Sequence, residues 1–233
     1  GGGAHRTPKG LEHEYTLGGR LWEKVRSAGQ WLFRHDPLFI RGQSRASAIL
    51  VCNWDSARKV PPKWSPKIHL FPVSGVSSED LSLSSTVKSQ TREFKVLTAG
   101  SLIRVKGFGL AVKAFKLFVD KYPDSKLTIA GDGPEKRHLR RLIHRCKLEN
   151  KVKLVGAVPR DDLLSKMVSS DALLFPSLRD GGGTVVIEAM SVAKPVICLD
   201  IGGPGLHITE DCGIKIAPTS SQETAQDLAD ALE

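Results

Sequence analysis

The chain has 233 residues, of which 40% are hydrophobic and 25% are charged, a composition typical of one large globular domain or of one domain with part of a second. Its formal net charge of +9 favours anionic partners, whether nucleotide diphosphates, anionic lipids or nucleic acid. No apolar run approaches the ~18 residues of a membrane-spanning helix, so we expect no such helix within these residues.

The cysteines and histidines offer no framework for a metal. The four cysteines lie far apart and form no CxxC pair, at Cys52, Cys146, Cys198 and Cys212. This usage suits a reducing compartment. His138 and His144 are six positions apart and therefore do not stack on one face of a helix. We expect no metal site, no signal peptide and a cytoplasmic location.

The beginning of the chain predicts the end of a Rossmann-like domain. Apolar residues recur every three or four positions over residues 15–34, which predicts a helix. Asp36 followed by Pro37 is typical of the start of a second helix. Buried strands are predicted at residues 47–53 and 67–73. These strands are too few for a complete sheet with both faces covered, so we expect the chain to be part of a longer protein.

A segment rich in Ser and Thr, residues 74–91, shows little periodicity and is typical of a linker. We therefore divide the chain into three parts. Residues 1–74 are the C-terminal remnant of one Rossmann-like domain, residues 75–93 are the linker, and residues 94–233 form a second Rossmann-like domain that lacks its own C-terminal end.

Strand and helix patterns alternate from residue 94 onward, in the order β-α-β-α-β-α-β-α-β-β-α. This order predicts an α/β fold with a Rossmann-like parallel sheet flanked by helices, which binds ligands at the carboxyl ends of its strands. The last helix begins near Ser221 and is predicted to continue to Glu233. The glycines that follow the strand at residues 195–200 are predicted to form a turn.

Two predicted helices carry many basic residues. Trp31 and Lys24 belong to the first helix, and a basic amphipathic helix with tryptophans can lie on an anionic membrane surface. The helix at residues 135–148 has an apolar stripe and an opposite face of arginines and lysines. Its lack of interleaved aromatic residues argues against nucleic acid. A solvated outer face is the simpler explanation for it, but peripheral membrane contact stays open.

The stretch DGGGTVVIEAMSVAKPVICLDIGGPG, from Asp180 to Gly205, is the richest in chemistry. Glycines let backbone N–H groups approach a ligand, and the helix start behind them adds unpaired N–H groups and a positive dipole end. This combination is typical of a phosphate site. Glu188 lies about two helical turns beyond the loop, so the carboxylates of Asp180 and Glu188 can line one pocket. Lys106, on a glycine-containing loop between strand and helix, also suits a phosphate.

This stretch resembles the nucleotide-sugar site of retaining glycosyltransferases of the GT-B fold, family four, also called glycosyl transferases group 1. The shared pattern is an acid, seven residues and a second acid, with glycines after the first acid and Glu-Ala-Met at the second. The usual first acid is Glu, whereas Asp180 is one methylene shorter. Ser101 stands where the family has a phosphate-binding Arg, Lys106 keeps the family's Lys, and Arg104 is a substitute candidate for that Arg.

The resemblance implies that the chain is the donor-binding part of an enzyme that transfers a hexosyl group, with retention, from a nucleotide-diphosphate sugar to a glycan or lipid-linked acceptor. It implies that Lys106 holds the diphosphate, that Asp180 holds the donor sugar, that Glu188 holds the ribose and that the backbone at Val158 seats the base. It implies catalytic roles for Lys106 and Asp180, and neither metal nor cofactor. The nucleotide-sugar-binding residues are then Lys106, Gly133, Val158, Asp180, Gly181, Gly182, Gly183, Thr184 and Glu188.

Three alternatives remain open at this point. A nucleotide-sugar epimerase would share the architecture, and a non-catalytic nucleotide-binding module would share the site. The stretch could also be an ordinary strand, loop and helix. A glycosidase is disfavoured because a hydrolase has no use for a glycine-rich phosphate site. Since the resembling enzymes keep their acceptor pocket in the N-terminal domain, we expect this chain alone to bind nucleotide weakly and to turn over little.

Overall fold

The computed structural model describes residues 8, 10–12, 17–82 and 93–233. The helices are α1 (Leu17–His35), α2 (Pro37–Arg45), α3 (Trp54–Ala57), α4 (Ser78–Ser82), α5 (Phe108–Lys121), α6 (Lys136–Arg145), α7 (Arg160–Val168), α8 (Thr184–Ser191), α9 (Gly202–His207) and α10 (Ser221–Asp230). The strands are β1 (Ile49–Val51), β2 (Ile68–Leu70), β3 (Phe94–Ala99), β4 (Ser125–Ala130), β5 (Val152–Gly156), β6 (Ala172–Phe175), β7 (Val196–Leu199) and β8 (Gly213–Ile216).

The second part of the chain, residues 93–233, is built on a six-stranded sheet in the order β5-β4-β3-β6-β7-β8. Every adjacent pair of strands is parallel. The chain moves outward from β3 to β5 and then returns to place β6 on the other side of β3. This reversal opens a crevice beyond the carboxyl ends of β3 and β6, where such sheets bind ligands. The predicted fold class is confirmed, and we call residues 93–233 the sheet region.

Helices cover both faces of this sheet. Adjacent residues of β3 point to opposite sides, so that Val96 packs with α5, α6 and α10, whereas Leu97 packs with α7 and α8. On the first side Phe115 of α5 is fully buried. On the second side Met167 of α7 and Val186 of α8 are buried as well. The two apolar layers hold the strand ends, and therefore the loops beyond them, in fixed positions.

The first part of the chain, residues 17–82, is called the leading region here. Its strands β1 and β2 form a parallel pair in which Ile49 lies opposite Ile68. The carboxylate of Asp36 accepts a hydrogen bond from the backbone N–H of Leu38 at 2.7 Å, so the Asp-Pro pair starts α2 as predicted. The predicted helix over residues 15–34 is observed as α1. Residues 15 and 16 lie outside the described part.

Three predicted elements need correction. The glycines after β7 form the helix α9 rather than a turn, since the Asp55 carboxylate caps the N–H of Gly202 at the helix start, at 2.8 Å. The helix predicted at residues 135–148 ends at Arg145, because Lys147 adopts φ 56° and closes it. The final helix ends at Asp230, short of Glu233.

The serine-rich segment that we predicted as a linker contains the short helix α4. Ser77 caps it, because the Ser77 hydroxyl accepts from the N–H of Asp80 at 3.3 Å while the Asp80 carboxylate accepts from the N–H of Ser77 at 3.0 Å. Residues 83–92 of this segment lie outside the described part. The described portion of the segment places a buried carboxylate, Asp80, beside the sheet region.

Candidate functional site

Lys106 and Asp180 lie together in the crevice beyond β3 and β6. Gly107 makes this possible, because a Cβ there would lie 1.9 Å from the carbonyl oxygen of Pro176, so only glycine allows the two loops to touch. The Lys106 ammonium forms an ion pair with Oδ2 of Asp180 and lies 5.6 Å from the centroid of the Phe175 ring. The lysine predicted to hold phosphate is therefore on the same side of the sheet as the glycine loop.

The other oxygen of Asp180 is bound by the glycine loop itself. Oδ1 accepts from the N–H of Gly182 at 3.2 Å and from the N–H of Gly183 at 2.8 Å. We call the Lys106 ammonium and these two N–H groups the anion site. A carboxylate of the chain occupies it, which demonstrates that a cation and the N–H groups at the start of α8 converge on one negative group.

The leading region contacts the glycine loop directly. The Asn53 side chain donates to the carbonyl of Gly181 at 2.9 Å, and the hydroxyls of Ser74 and Thr184 are 3.0 Å apart. A Cβ at Gly182 would lie 2.6 Å from Oγ of Ser74, so any side chain here would displace that hydroxyl. Residues from before the predicted linker thus form one wall of the site.

Glu188 lies on α8 and is buried, and Arg160 binds it. The Nε atom of Arg160 donates to Oε1 of Glu188 at 2.9 Å, while its two terminal nitrogens donate to Asp80 at 3.0 and 2.7 Å. Hydrogen bonds from Arg160 lower the pKa of Asp80 to about 2, and Asp80 in turn raises the pKa of Arg160.

Sequence reasoning missed Arg160, the partner of Glu188, and Asp80, the other partner of Arg160. A signal for Arg160 exists, because a basic residue at the first position of a helix opposes the helix dipole and calls for an acidic partner. Asp161 and Asp162 follow it directly and would be the obvious choice. The partner is instead Asp80, eighty positions away, which local sequence does not indicate.

The remaining predicted residues lie on neighbouring loops. Gly133 follows β4 at φ 154° and packs on the loop after β3, where a Cβ would lie 2.6 Å from the carbonyl oxygen of Leu102. Val158 lies before α7 and packs partly buried against the layer of α7 and α8. The structure gives neither residue a hydrogen bond to Lys106 or Asp180. Arg104, the substitute candidate for the family's Arg, donates to Glu135 at 2.8 Å.

A cleft of about 320 Å³ opens beside Asp180, between the leading region and the sheet region. Charged residues of both regions line it, namely Asp55, Arg58, Lys59, Arg179 and Asp180. Among residues 17–82 and 93–233 and the few described before them, no three His, Cys, Asp or Glu side chains are grouped as a metal site would need. None of the described helices is long and apolar enough to span a bilayer.

Comparison with known proteins places this site in a family. The family model of glycosyl transferases group 1 matches residues 83–233. An uncharacterized glycosyltransferase of Methanocaldococcus jannaschii is 36% identical over 107 residues, which are 46% of this chain and 26% of that protein. The GPI3 subunit of phosphatidylinositol N-acetylglucosaminyltransferase from Saccharomyces cerevisiae is 27% identical over 167 residues, covering 70% of this chain and 37% of the relative.

Solved structures agree on the fold. The pneumococcal O-GlcNAc transferase GtfA, solved in complex with UDP and GlcNAc, superposes with a TM-score of 0.66 at 23% identity, over 81% of this chain and 38% of GtfA. The chain thus spans between about a quarter and two fifths of the lengths of these proteins. The resemblance stated from the sequence is confirmed: the chain belongs to the glycosyl transferases group 1 family.

Proposed function

We propose that the chain binds the nucleotide-diphosphate sugar donor of a retaining hexosyltransferase in glycan biosynthesis. One observation carries the proposal, namely that Lys106 and the N–H groups of Gly182 and Gly183 converge on a single negatively charged group. The diphosphate would take the place that the Asp180 carboxylate holds. Asp180 would then turn toward the hydroxyls of the donor sugar, the role that the family resemblance gives it.

The anion site suits the chemistry of sugar transfer. When the glycosidic bond to the leaving diphosphate breaks, negative charge grows on the β-phosphate. Donors that are already oriented toward that charge stabilise the transition state more than the ground state. Lys106 and the start of α8 would supply this positive potential without a metal or other cofactor. Thr184, as the first residue of α8, would add its own N–H group.

The nucleotide would extend from the anion site along neighbouring loops. Glu188 would accept hydrogen bonds from the ribose, Val158 would seat the base, and Gly133 would lie at the mouth of the pocket. We propose UDP as the first nucleotide to test, because a structural relative was solved with UDP, with GDP as the second. The cleft beside Asp180 would admit a glycan or lipid-linked acceptor.

We further propose a cytoplasmic location with peripheral contact at the inner face of the plasma membrane. Apolar side chains of α1 support this, because Leu21, Trp31, Leu32 and Phe33 are each more than half exposed. As the chain spans only part of its relatives, we expect it to bind the donor but to turn over little by itself.

Titration calorimetry of the purified chain tests the donor site. We expect UDP to bind, and Lys106→Ala to weaken UDP about tenfold or more while weakening uridine less than twofold, since the ammonium would contact the phosphates and not the nucleoside. Lys153→Ala, which removes an exposed lysine of β5, is the matched control and should change neither affinity.

Three outcomes would contradict parts of the proposal. If the folded chain gives no heat with UDP, GDP or a sugar derivative of either, donor binding is wrong. If Lys106→Ala weakens UDP and uridine equally, Lys106 does not hold the diphosphate. Product formation without an acceptor would favour an epimerase over a transferase.

A further inference from the structure

Arg160 joins two carboxylates that come from different parts of the chain. It is the first residue of α7 and lies two positions after Val158. Its terminal nitrogens bind both oxygens of Asp80 in a bidentate pair, and its Nε binds Oε1 of Glu188. The guanidinium plane is therefore fixed on two edges, a geometry that lysine cannot reproduce.

Both carboxylates are withdrawn from water and need a counter-charge. Glu188 is 7% exposed and Asp80 is 4% exposed, and an ionised carboxylate at such a position is costly unless it is paired. Within the described part of the chain, Arg160 is the only cation that forms an ion pair with either of them. Asp80 is held further by the N–H of Ser77 at the start of α4.

One oxygen of Glu188 keeps its acceptor capacity. Oε1 is taken by Arg160, whereas no hydrogen bond to Oε2 is found among the described residues. Oε2 is not among the fully buried polar atoms that lack a partner, so it keeps some contact with solvent although Glu188 as a whole is 7% exposed. A carboxylate with one oxygen fixed by an arginine and the other accessible is ready to accept from a hydroxyl.

We infer that Arg160 is a positioning residue for nucleotide recognition, with Asp80 as its anchor. Arg160 fixes the rotamer of Glu188, so that Oε2 is presented to a ribose hydroxyl. Asp80 holds the guanidinium in that place from α4, a helix outside the sheet region. The inference rests on the proposed function, because it assumes that a nucleotide is bound at this site.

The arrangement explains why an arginine stands at the start of α7. A cation at this end of a helix is unfavourable, and no role in α7 itself requires it. The contacts with Asp80 and Glu188 reverse that penalty. Ribose recognition then depends on an ordered segment that the local sequence predicts as a linker.

The experiment compares the binding of UDP with that of 2′,3′-dideoxy-UDP, which lacks both ribose hydroxyls. We expect the chain to bind UDP about tenfold or more tightly than the dideoxy analogue, because the hydroxyl donates to a charged acceptor. Arg160→Ala should reduce this ratio to less than about threefold and leave the affinity for inorganic pyrophosphate unchanged. Glu188→Gln sets the reference for an acceptor that has lost its charge, and Arg141→Ala on the exposed face of α6 is the matched control.

Conservative variants separate positioning from folding. Arg160→Lys and Asp80→Asn should each lower the UDP ratio to an intermediate value, since each keeps part of the network. A merely structural role would instead lower the affinity for UDP, the analogue and pyrophosphate together. If Arg160→Ala is unfolded by circular dichroism, these two variants carry the test.

The results of these experiments test the positioning role of Arg160 separately from the proposed function. Unchanged ratios in folded Arg160→Ala, or in both conservative variants, would overturn the positioning role while donor binding stands. A wild-type chain that binds UDP and its analogue equally would overturn it as well. A wild-type chain that binds no nucleotide would overturn the proposed function first, and with it this role.

Discussion

The leading region and the sheet region are held by different forces. In the sheet region, both faces of the sheet are covered by apolar layers of buried side chains. In the leading region, Val51 and Trp64 are the large apolar side chains that are buried among the described residues, whereas many others are exposed. These exposed residues include Leu32, Phe33, Leu38, Leu50, Trp54, Phe71 and Val73.

Contacts between the two regions are mainly polar and gather at the site. Asn53 binds the glycine loop, Asp55 caps α9, Ser74 meets Thr184 and Asp80 binds Arg160. Arg179, next to the first acid of the motif, pairs with Glu23 of α1 at 3.0 Å. This difference indicates that most of the folding stability comes from the sheet region, whereas the leading region contributes mostly to the geometry of the site.

The largest expected effect is a difference in stability between two leucine variants, one in each region, both in short parallel strands. Leu174 of β6 is fully buried and Leu50 of β1 is 63% exposed. Leu174→Ala should lower the free energy of unfolding by about 2–5 kcal/mol, through lost apolar transfer and the remaining cavity. Leu50→Ala should change it by less than about 0.5 kcal/mol. Urea unfolding followed by circular dichroism measures both values.

Equal losses of unfolding free energy in Leu174→Ala and Leu50→Ala would contradict this difference between the two regions. They would mean that the leading region carries a core of its own, and that its exposed leucines are covered in solution. Sedimentation of the wild-type chain at two concentrations provides the control, since self-association would cover Leu50 and raise the cost of its removal.

The sequence predicted the sheet region better than the site, for physical reasons. Strands such as β6 and β7 are short and apolar and adjoin a proline, Pro176 after β6 and Pro195 before β7, so the local pattern alone indicates them. The meeting of Lys106 with Asp180 was predicted as well, because the carboxyl ends of neighbouring parallel strands share one edge. The roles of these residues stay predictions.

Three features of the site and its surroundings were not predicted from the sequence. The capture of the glycine N–H groups by Asp180 follows a local pattern, an Asp side chain that binds backbone two and three positions on, and could have been found. The link from Asp80 through Arg160 to Glu188 spans three separate segments and has no local signature. Helix α9 formed where glycines favoured a turn, because Asp55 of the leading region caps it.

A middle-sized effect should come from the contact between Ser74 and the glycine loop. A methyl group at Gly182 would displace Oγ of Ser74 and break its 3.0 Å contact with Thr184. Gly182→Ala should therefore destabilise the wild-type chain more than it destabilises a Ser74→Ala chain, with a coupling of about 1 kcal/mol. A double-mutant cycle by urea unfolding measures this difference. It also cancels the change in unfolded-state entropy that alanine introduces.

Additive effects in this cycle would show that the leading region does not press on the glycine loop in solution. The matched control is Gly42→Ala in α2, where an added Cβ meets nothing within 4 Å. That variant should show no coupling to Ser74.

The smallest effect should appear in acid, at the ion pair between Asp80 and Arg160. The pair lowers the pKa of Asp80 from its ordinary value of 3.8 to about 2. A lowered pKa means that the folded state binds the Asp80 proton less readily than the unfolded state. The stabilising contribution is therefore complete above the ordinary pKa and is lost as pH falls through the range from about 4 to about 2.

Asp80→Asn should thus lower the free energy of unfolding by a constant amount between pH 5 and pH 8, and by a shrinking amount below about pH 4. Urea unfolding of both chains across this range measures the gap. In an Arg160→Ala background this difference should be much smaller, because the hydrogen bonds from Arg160, the main cause of the lowered pKa of Asp80, are then absent. If this difference in the free energy of unfolding is unchanged at pH 2.5, the ionised pair of Asp80 and Arg160 is not what stabilises the contact between α4 and α7. The leading region would then hold the site through its other hydrogen bonds, such as those of Asn53 and Asp55, and not through the charge of Asp80.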